Sequence, residues 1–183
     1  MNWRTTPMAG LYEIQLVPKG DARGRFTRLF CEREMSSIRP GLHFTQVNFS
    51  ETRGRGTVRG LHYQTPPAAE AKLIRCLRGR VFDVAVDLRA GSPTFLHWHA
   101  MELARDNDRA YFIPEGFAHG FQVLSEEADL LYMHTAPWTP PCEAGIRHDD
   151  PRLSIAWPLP ATGLSARDLG YPPIEDGFVG VRP

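Results

Sequence analysis

The chain has 183 residues, enough for one domain with a full hydrophobic core, and its 42% hydrophobic and 23% charged residues are an ordinary globular mix. The 21 basic and 21 acidic side chains cancel, which argues against a general nucleic-acid binder but leaves room for a small anion held by a few arginines. Cys31, Cys76 and Cys142 are odd in number and widely spaced, and neither a signal-peptide core nor an apolar run of membrane length occurs, so a reduced, soluble, cytoplasmic protein without a membrane partner is expected.

Residues 11–17 alternate as a strand, which Pro18-Lys19-Gly20-Asp21 ends. Residues 21–24 form a turn into a short strand over 25–30, and 32–38 suggest one or two helical turns. Residues 44–50 alternate again, whereas the charged, glycine-rich stretch 51–56 reads as a loop. Strand character over 57–64 stops at Thr65-Pro66-Pro67, because proline cannot donate to a ladder. Further strands are predicted at 71–77, 81–88, 94–103, 109–113, 117–124 and 128–135. Beyond Pro137 proline is dense, and Ser165 is placed to cap a short helix over 165–169. About ten strands at roughly ten-residue spacing, with almost no helical periodicity, predict an all-β barrel or jelly roll with short peripheral helices. The whole chain, 1–183, reads as one domain with the tail wrapped on the barrel.

The stretch 56–87 concentrates residues that hold anions and move protons. Strand parity from Thr57 puts Val58, Gly60, His62 and Gln64 on one face, with Gly60 leaving space for a ligand. His62 is either a proton carrier or a hydrogen-bonded core histidine. Lys72 shares a face with Ile74 and Cys76; inward, it needs an anion or carbonyl oxygen, and outward it is a solvated edge charge. Of Asp83 and Asp87, one is expected to pair Lys72 and the other to be exposed. Arg59 and Arg23, each beside a glycine, offer guanidinium forks suited to a diphosphate, against a background expectation of surface salt bridges. His97 and His99 on one strand face, with His119, pose a metal-site alternative; no carboxylate follows at a familiar spacing, and no metal or other cofactor is expected.

Five collinear motifs are more specific. They are Arg59-Gly60-Leu61-His62-Tyr63-Gln64, Lys72-Leu73-Ile74-Arg75, Val81-Phe82-Asp83-Val84-Ala85-Val86-Asp87, Gly91-Ser92-Pro93-Thr94-Phe95, and the run from Ile113 to Phe121. With Asp150-Pro151, Trp157-Pro158 and Leu164-Ser165-Ala166-Arg167-Asp168, the pattern closely resembles the dTDP-4-dehydrorhamnose 3,5-epimerase family over nearly the whole chain. The resemblance implies a cupin-type jelly roll, a homodimer, and cofactor-free epimerisation of a nucleoside-diphosphate 4-keto-6-deoxy sugar. It implies that His62 is the base, Asp168 its orienting carboxylate, Lys72 the group that steadies the enolate, and Tyr132 the acid. It also implies that Arg59 and Arg23 hold the diphosphate, that Arg23 and Phe26 reach the neighbouring subunit's site, and that Gln46, Asn48 and His119 line the pocket.

Departures from the family pattern bear on specificity. Trp138 stands where the family has a second tyrosine that seats the sugar ring, so inversion at C3 alone or C5 alone is an alternative to double epimerisation. Arg28 stands where the family places a glutamate against thymine, which puts the base in question. The loop 51–56 is about one residue longer than in the family, and Glu70 replaces a common glutamine. A catalytically silent sugar-nucleotide-binding cupin is the rival from another class.

Overall fold

The computed structural model describes residues 1–183. Its strands are β1 (Asn2–Thr5), β2 (Tyr12–Gln15), β3 (Lys19–Asp21), β4 (Gly24–Phe26), β5 (Gln46–Arg53), β6 (Val58–Gln64), β7 (Lys72–Arg78), β8 (Arg80–Asp87), β9 (Trp98–Ala104), β10 (Arg109–Ile113), β11 (Phe117–Val123), β12 (Glu127–His134) and β13 (Glu143–Gly145). Two short helices, α1 (Glu32–Met35) and α2 (Ala166–Gly170), lie outside the sheets. A six-stranded sheet in the order β1-β2-β10-β7-β12-β5 faces a five-stranded sheet in the order β13-β6-β11-β8-β9, and β3-β4 form a separate hairpin. All ladders between these strands are antiparallel, giving the all-β jelly-roll architecture that the strand pattern predicts. No helix is long and apolar enough to cross a membrane.

The interior between the sheets is divided along its length. One end is apolar, filled by Ile74, Cys76, Val81, Ala85, Phe121 and Leu130 among others. The outer faces of both sheets are covered too. Met35 and Leu42 pack with Leu73 and Phe112 on the six-stranded sheet, and tail residues Ile146 and Leu153 pack with Val84 and Val86 on the five-stranded one. Strand β8 is therefore buried on both faces, which is why it reads as a nearly continuous apolar run. Ile155, Trp157, Ile174 and Phe178 of the tail extend the same cluster.

Several sequence expectations shift. The stretch 51–56 is not wholly loop, since β5 continues through Arg53 and pairs with β12 up to Arg53↔Glu127. The strand predicted from 94 begins at Trp98, after Leu96 adopts a left-handed φ of 62°. Strands β1, β3 and β13 are additional, β3 falling on the Lys19-Gly20-Asp21 stretch that was expected only to end a strand. Asp83 and Asp87 are both fully buried, and neither forms the ion pair with Lys72; Asp83 meets His119 and Asp87 meets Arg89.

Asp87 organises the turn after β8. Its carboxylate accepts from the Arg89 guanidinium (2.8 and 2.9 Å), the Arg89 backbone N–H (3.0 Å), and the hydroxyls of Ser92 (2.6 Å) and Thr94 (2.7 Å). Burial pushes this carboxyl up, but those donors outweigh it and hold it at about 2. The folded-state value lies below the unfolded one of about 3.9, so this stabilisation is present above pH 4 and is lost as pH falls toward 2. We expect Asp87→Asn to cost about 2 kcal/mol at neutral pH and to make the loss of stability between about pH 4 and pH 2 shallower; thermal unfolding across that range measures both.

Candidate active site

The polar end of the barrel opens into a cleft of about 670 Å³ between the two sheets. Its walls follow from strand parity. On the six-stranded side, Gln46, Asn48 and Ser50 of β5, Lys72 of β7, and Tyr132 and His134 of β12 point inward. On the five-stranded side, Arg59 and His62 of β6 and His119 of β11 face them.

Simple alternation would put Arg59 and His62 on opposite faces of β6. The ladder with β11 is irregular here: His62 pairs with His119 but Arg59 pairs with Phe121, so three steps on β6 match two on β11. Gly60 carries the extra residue, at φ 115°. A Cβ on Gly60 would lie 2.7 Å from both the Gly120 Cα and the His119 carbonyl oxygen. Its small size thus serves a backbone contact with β11, correcting the expectation that it clears space for a ligand. The result is that Arg59 and His62 both line the cleft.

Asp168 arrives from the tail. The Ser165 hydroxyl caps α2 by accepting from the Asp168 backbone N–H at 3.0 Å. Residues 56–58 and 162 exchange backbone hydrogen bonds, which fixes the tail along β6. Asp168 Oδ1 then meets His62 Nε2 at 2.7 Å, while Oδ2 accepts from the Gly60 N–H at 3.4 Å. Burial pushes the Asp168 carboxyl up, but His62, the Gly60 N–H and the Ser165 hydroxyl overcome this and hold it low. The carboxylate at 2.7 Å, nearer than the Arg167 guanidinium at 3.3 Å from the same nitrogen, assigns the proton to Nε2 and leaves the Nδ1 lone pair of His62 as the basic site. The Tyr171 ring packs against Gly145, where a Cβ would lie 2.2 Å from it, and against the His62 imidazole, 6.2 Å between ring centroids.

Across the cleft, burial pushes the Tyr132 phenol well above its ordinary value, and the Asp83 carboxylate adds to this. Tyr132 is therefore a protonated acid at neutral pH. Lys72 Nζ donates to the His62 carbonyl oxygen at 3.2 Å and pairs with Glu70 at 3.3 Å. His119 Nε2 lies 2.9 Å from Asp83 Oδ1; burial pushes the imidazole down and the carboxyl up. Trp138 is 58% exposed at the mouth, its backbone N–H donating to Gln46 Oε1 at 3.0 Å. Arg59, Arg53 and Arg167 give the rim a cationic lining.

The structure thus brings together His62, Lys72, Asp168, Tyr132, Gln46, Asn48, Arg59, His119 and Trp138. It does not bring Arg23, Phe26 or Arg28 to this chain's own cleft. Arg23 pairs with Asp21 on the hairpin, Phe26 is 75% exposed, and Arg28 pairs with Glu34 at 2.6 Å. The metal alternative fails on geometry: His97 is exposed, His99 bonds Glu13 at 2.9 Å, His119 is committed to Asp83, and no metal-like cluster of three His, Cys, Asp or Glu forms. Glu70, His134 and Arg167 line the cleft without having been singled out as site residues; His134 was reachable from its parity with Tyr132, and Arg167 from its position beside Asp168.

The family model for dTDP-4-dehydrorhamnose 3,5-epimerase matches residues 5–176. The chain belongs to the dTDP-4-dehydrorhamnose 3,5-epimerase family. It is 49% identical over 152 residues to the dTDP-4-dehydrorhamnose 3,5-epimerase of Pseudomonas aeruginosa, covering 81% of this chain and 82% of that one. The crystal structure of dTDP-6-deoxy-D-glucose-3,5-epimerase from Legionella pneumophila, in complex with dTDP-4-keto-L-rhamnose, superposes with a TM-score of 0.93 at 39% identity, covering 100% of this chain and 98% of that one. A 3'-monoepimerase from Streptomyces bikiniensis, in complex with dTDP-quinovose, superposes with a TM-score of 0.86 at 32% identity, covering 92% and 85%. This chain is accordingly an isomerase of the sugar-nucleotide class with a cupin-type fold.

The Gly60 contact sets the phase of both Arg59 and His62. We expect Gly60→Ala to cost roughly 2–3 kcal/mol in urea unfolding, because the new methyl meets backbone that cannot move aside.

Proposed function

We propose that the protein epimerises a dTDP-linked 4-keto-6-deoxyhexose at C3, C5 or both. The observation that carries this is His62 of one sheet, held by Asp168 of α2, facing Tyr132 of the other sheet across the cleft. A C4 ketone acidifies the hydrogens on C3 and C5. The Nδ1 of His62 removes one of them, and Asp168 stabilises the imidazolium that forms. The Lys72 ammonium meets the charge that develops on the C4 oxygen. Inversion needs a proton on the opposite ring face, and Tyr132 stands on the opposite wall with its phenol protonated. Arg59 holds the diphosphate at the cationic rim, with Gln46, Asn48 and His119 lining the sugar pocket.

Two features suit a homodimer. Phe26 projects from the β3-β4 hairpin, and Val47 and Phe49 lie exposed on the open edge strand β5. In this reading the hairpin delivers Arg23 and Phe26 to the partner's cleft, where Arg28 meets the base. Phe49→Asp is expected to yield a monomer in analytical ultracentrifugation; an unchanged species contradicts this interface.

A single-centre reaction is the second reading, and the exposed indole of Trp138 at the mouth favours it, being bulkier than tyrosine and lacking a hydroxyl. Incubation with a dTDP-4-keto-6-deoxyhexose in deuterium oxide decides between the two. Incorporation at C3 and C5 indicates the double epimerase, and incorporation at one carbon the mono-epimerase. Tight binding without exchange indicates a silent binding cupin and overturns the proposal. His62→Ala is expected to lower exchange at least about a hundredfold, with wild-type exchange removing His62 from the mechanism.

A further inference from the structure

Only two of the 21 basic residues are lysines, Lys19 and Lys72. Lys19 is exposed on the β3-β4 hairpin, whereas Lys72 has only 8% of its side chain exposed inside the cleft. A chain that uses arginine almost everywhere keeps a compact ammonium at this one enclosed position, where a planar guanidinium is no substitute.

The surroundings of Lys72 are built. Glu70, 9% exposed, supplies the one carboxylate in ion-pair contact with it, through Oε1 at 3.3 Å. The other oxygen, Oε2, lies 2.8 Å from His134 Nδ1. His134 Nε2 lies 3.4 Å from the Asn48 amide nitrogen, and its ring stacks on Tyr132, 5.9 Å between centroids. An amide N–H facing Nε2 makes that nitrogen the acceptor, so Nδ1 carries the proton and donates it to Glu70. Burial pushes the Glu70 carboxyl up, but the His134 N–H and the Lys72 charge outweigh it and keep it ionised. The relay runs from Asn48 on β5 through His134 on β12 and Glu70 to Lys72 on β7, and ends on the His62 carbonyl of the facing sheet.

An ammonium has three N–H donors. Glu70 and the His62 carbonyl take two of them, and the third is left for a ligand oxygen. We propose that Glu70, oriented by His134, is a positioning residue that fixes Lys72 so that its third N–H meets the enolate oxygen of the substrate. This rests on the epimerase reading above. It also gives a reason for a carboxylate at position 70: an uncharged amide there would accept a hydrogen bond but would not hold the ammonium by charge.

The test uses the full-length protein labelled with 13C-lysine, in which two side-chain Cε signals are present. A fixed side chain keeps its two Hε protons inequivalent, and a rotating one averages them. The wild type is expected to show inequivalent Hε protons for Lys72 and averaged ones for Lys19. Glu70→Ala is expected to merge the Lys72 pair and to lower kcat for solvent exchange at least about tenfold, with KM within about threefold, because the interaction is made mainly in the transition state. Glu70→Gln, which keeps the shape and one acceptor, is expected to fall between the two and guards against misfolding of the alanine variant. Lys72 signals that stay inequivalent in Glu70→Ala, or a change in KM alone, overturn the proposal. Absence of exchange in the wild type overturns the epimerase reading instead, and the lysine signals still decide whether Glu70 fixes Lys72.

Discussion

Asp168 is where the tail and the barrel meet, and the 2.7 Å contact between its carboxylate and His62 is the interaction on which the site depends. The two residues are 106 positions apart. Their meeting requires the tail to run along β6, the Ser165 cap to start α2 at the right residue, and β6 to present His62 inward. The same carboxylate accepts from Gly60, the residue that shifts the phase of β6. One acidic side chain therefore reads out both the helix that carries it and the strand irregularity beneath it. A carboxylate this enclosed is tolerated only because each oxygen has a donor.

The facing sheets divide the chemistry. The five-stranded sheet supplies the imidazole of His62 and the guanidinium of Arg59, and the six-stranded sheet supplies the phenol of Tyr132, the ammonium of Lys72 and the amides of Gln46 and Asn48. In the proposed reaction a sugar ring between them would have one face toward His62 and the other toward Tyr132, which is the arrangement that inversion by proton transfer needs. Two carboxylate–imidazole pairs flank the cleft, His62–Asp168 and His134–Glu70. The first is placed to move a proton; the second abuts Lys72. A third, His119–Asp83, lies deeper, where burial moves both groups toward their uncharged forms. The interior is thus graded from apolar core to charged rim, and the strength of each charge interaction rises with depth.

Most strands were legible because alternation and turn residues announce them, and β10 and β11 fall where the pattern puts them. The continuation of β5 past Ser50 was not, because its inward residues face a polar cleft instead of a core and so lack an apolar alternation. Of Asp83 and Asp87, one was expected on Lys72 and the other in solvent; their partners His119, Ser92 and Thr94 become visible only when the chain is folded. The phase shift at Gly60 was hidden because a glycine in a strand signals close approach without saying of what. Glu70 stood out only as a departure from a family pattern, and its contacts with Lys72 and His134 are tertiary. Arg23, Phe26 and Arg28 are read from motif position alone, since their surroundings within one chain are the hairpin and Glu34.

The central claim is that Asp168 holds the proton on His62 Nε2 and leaves Nδ1 free as the base. Nitrogen-15 NMR of the histidine side chains, with His62 assigned by its loss in His62→Ala, tests this most directly. The account predicts the Nε2–H tautomer for neutral His62 in the wild type and loss of that preference in Asp168→Asn. An Nδ1–H tautomer in the wild type, or a tautomer indifferent to Asp168, would contradict it.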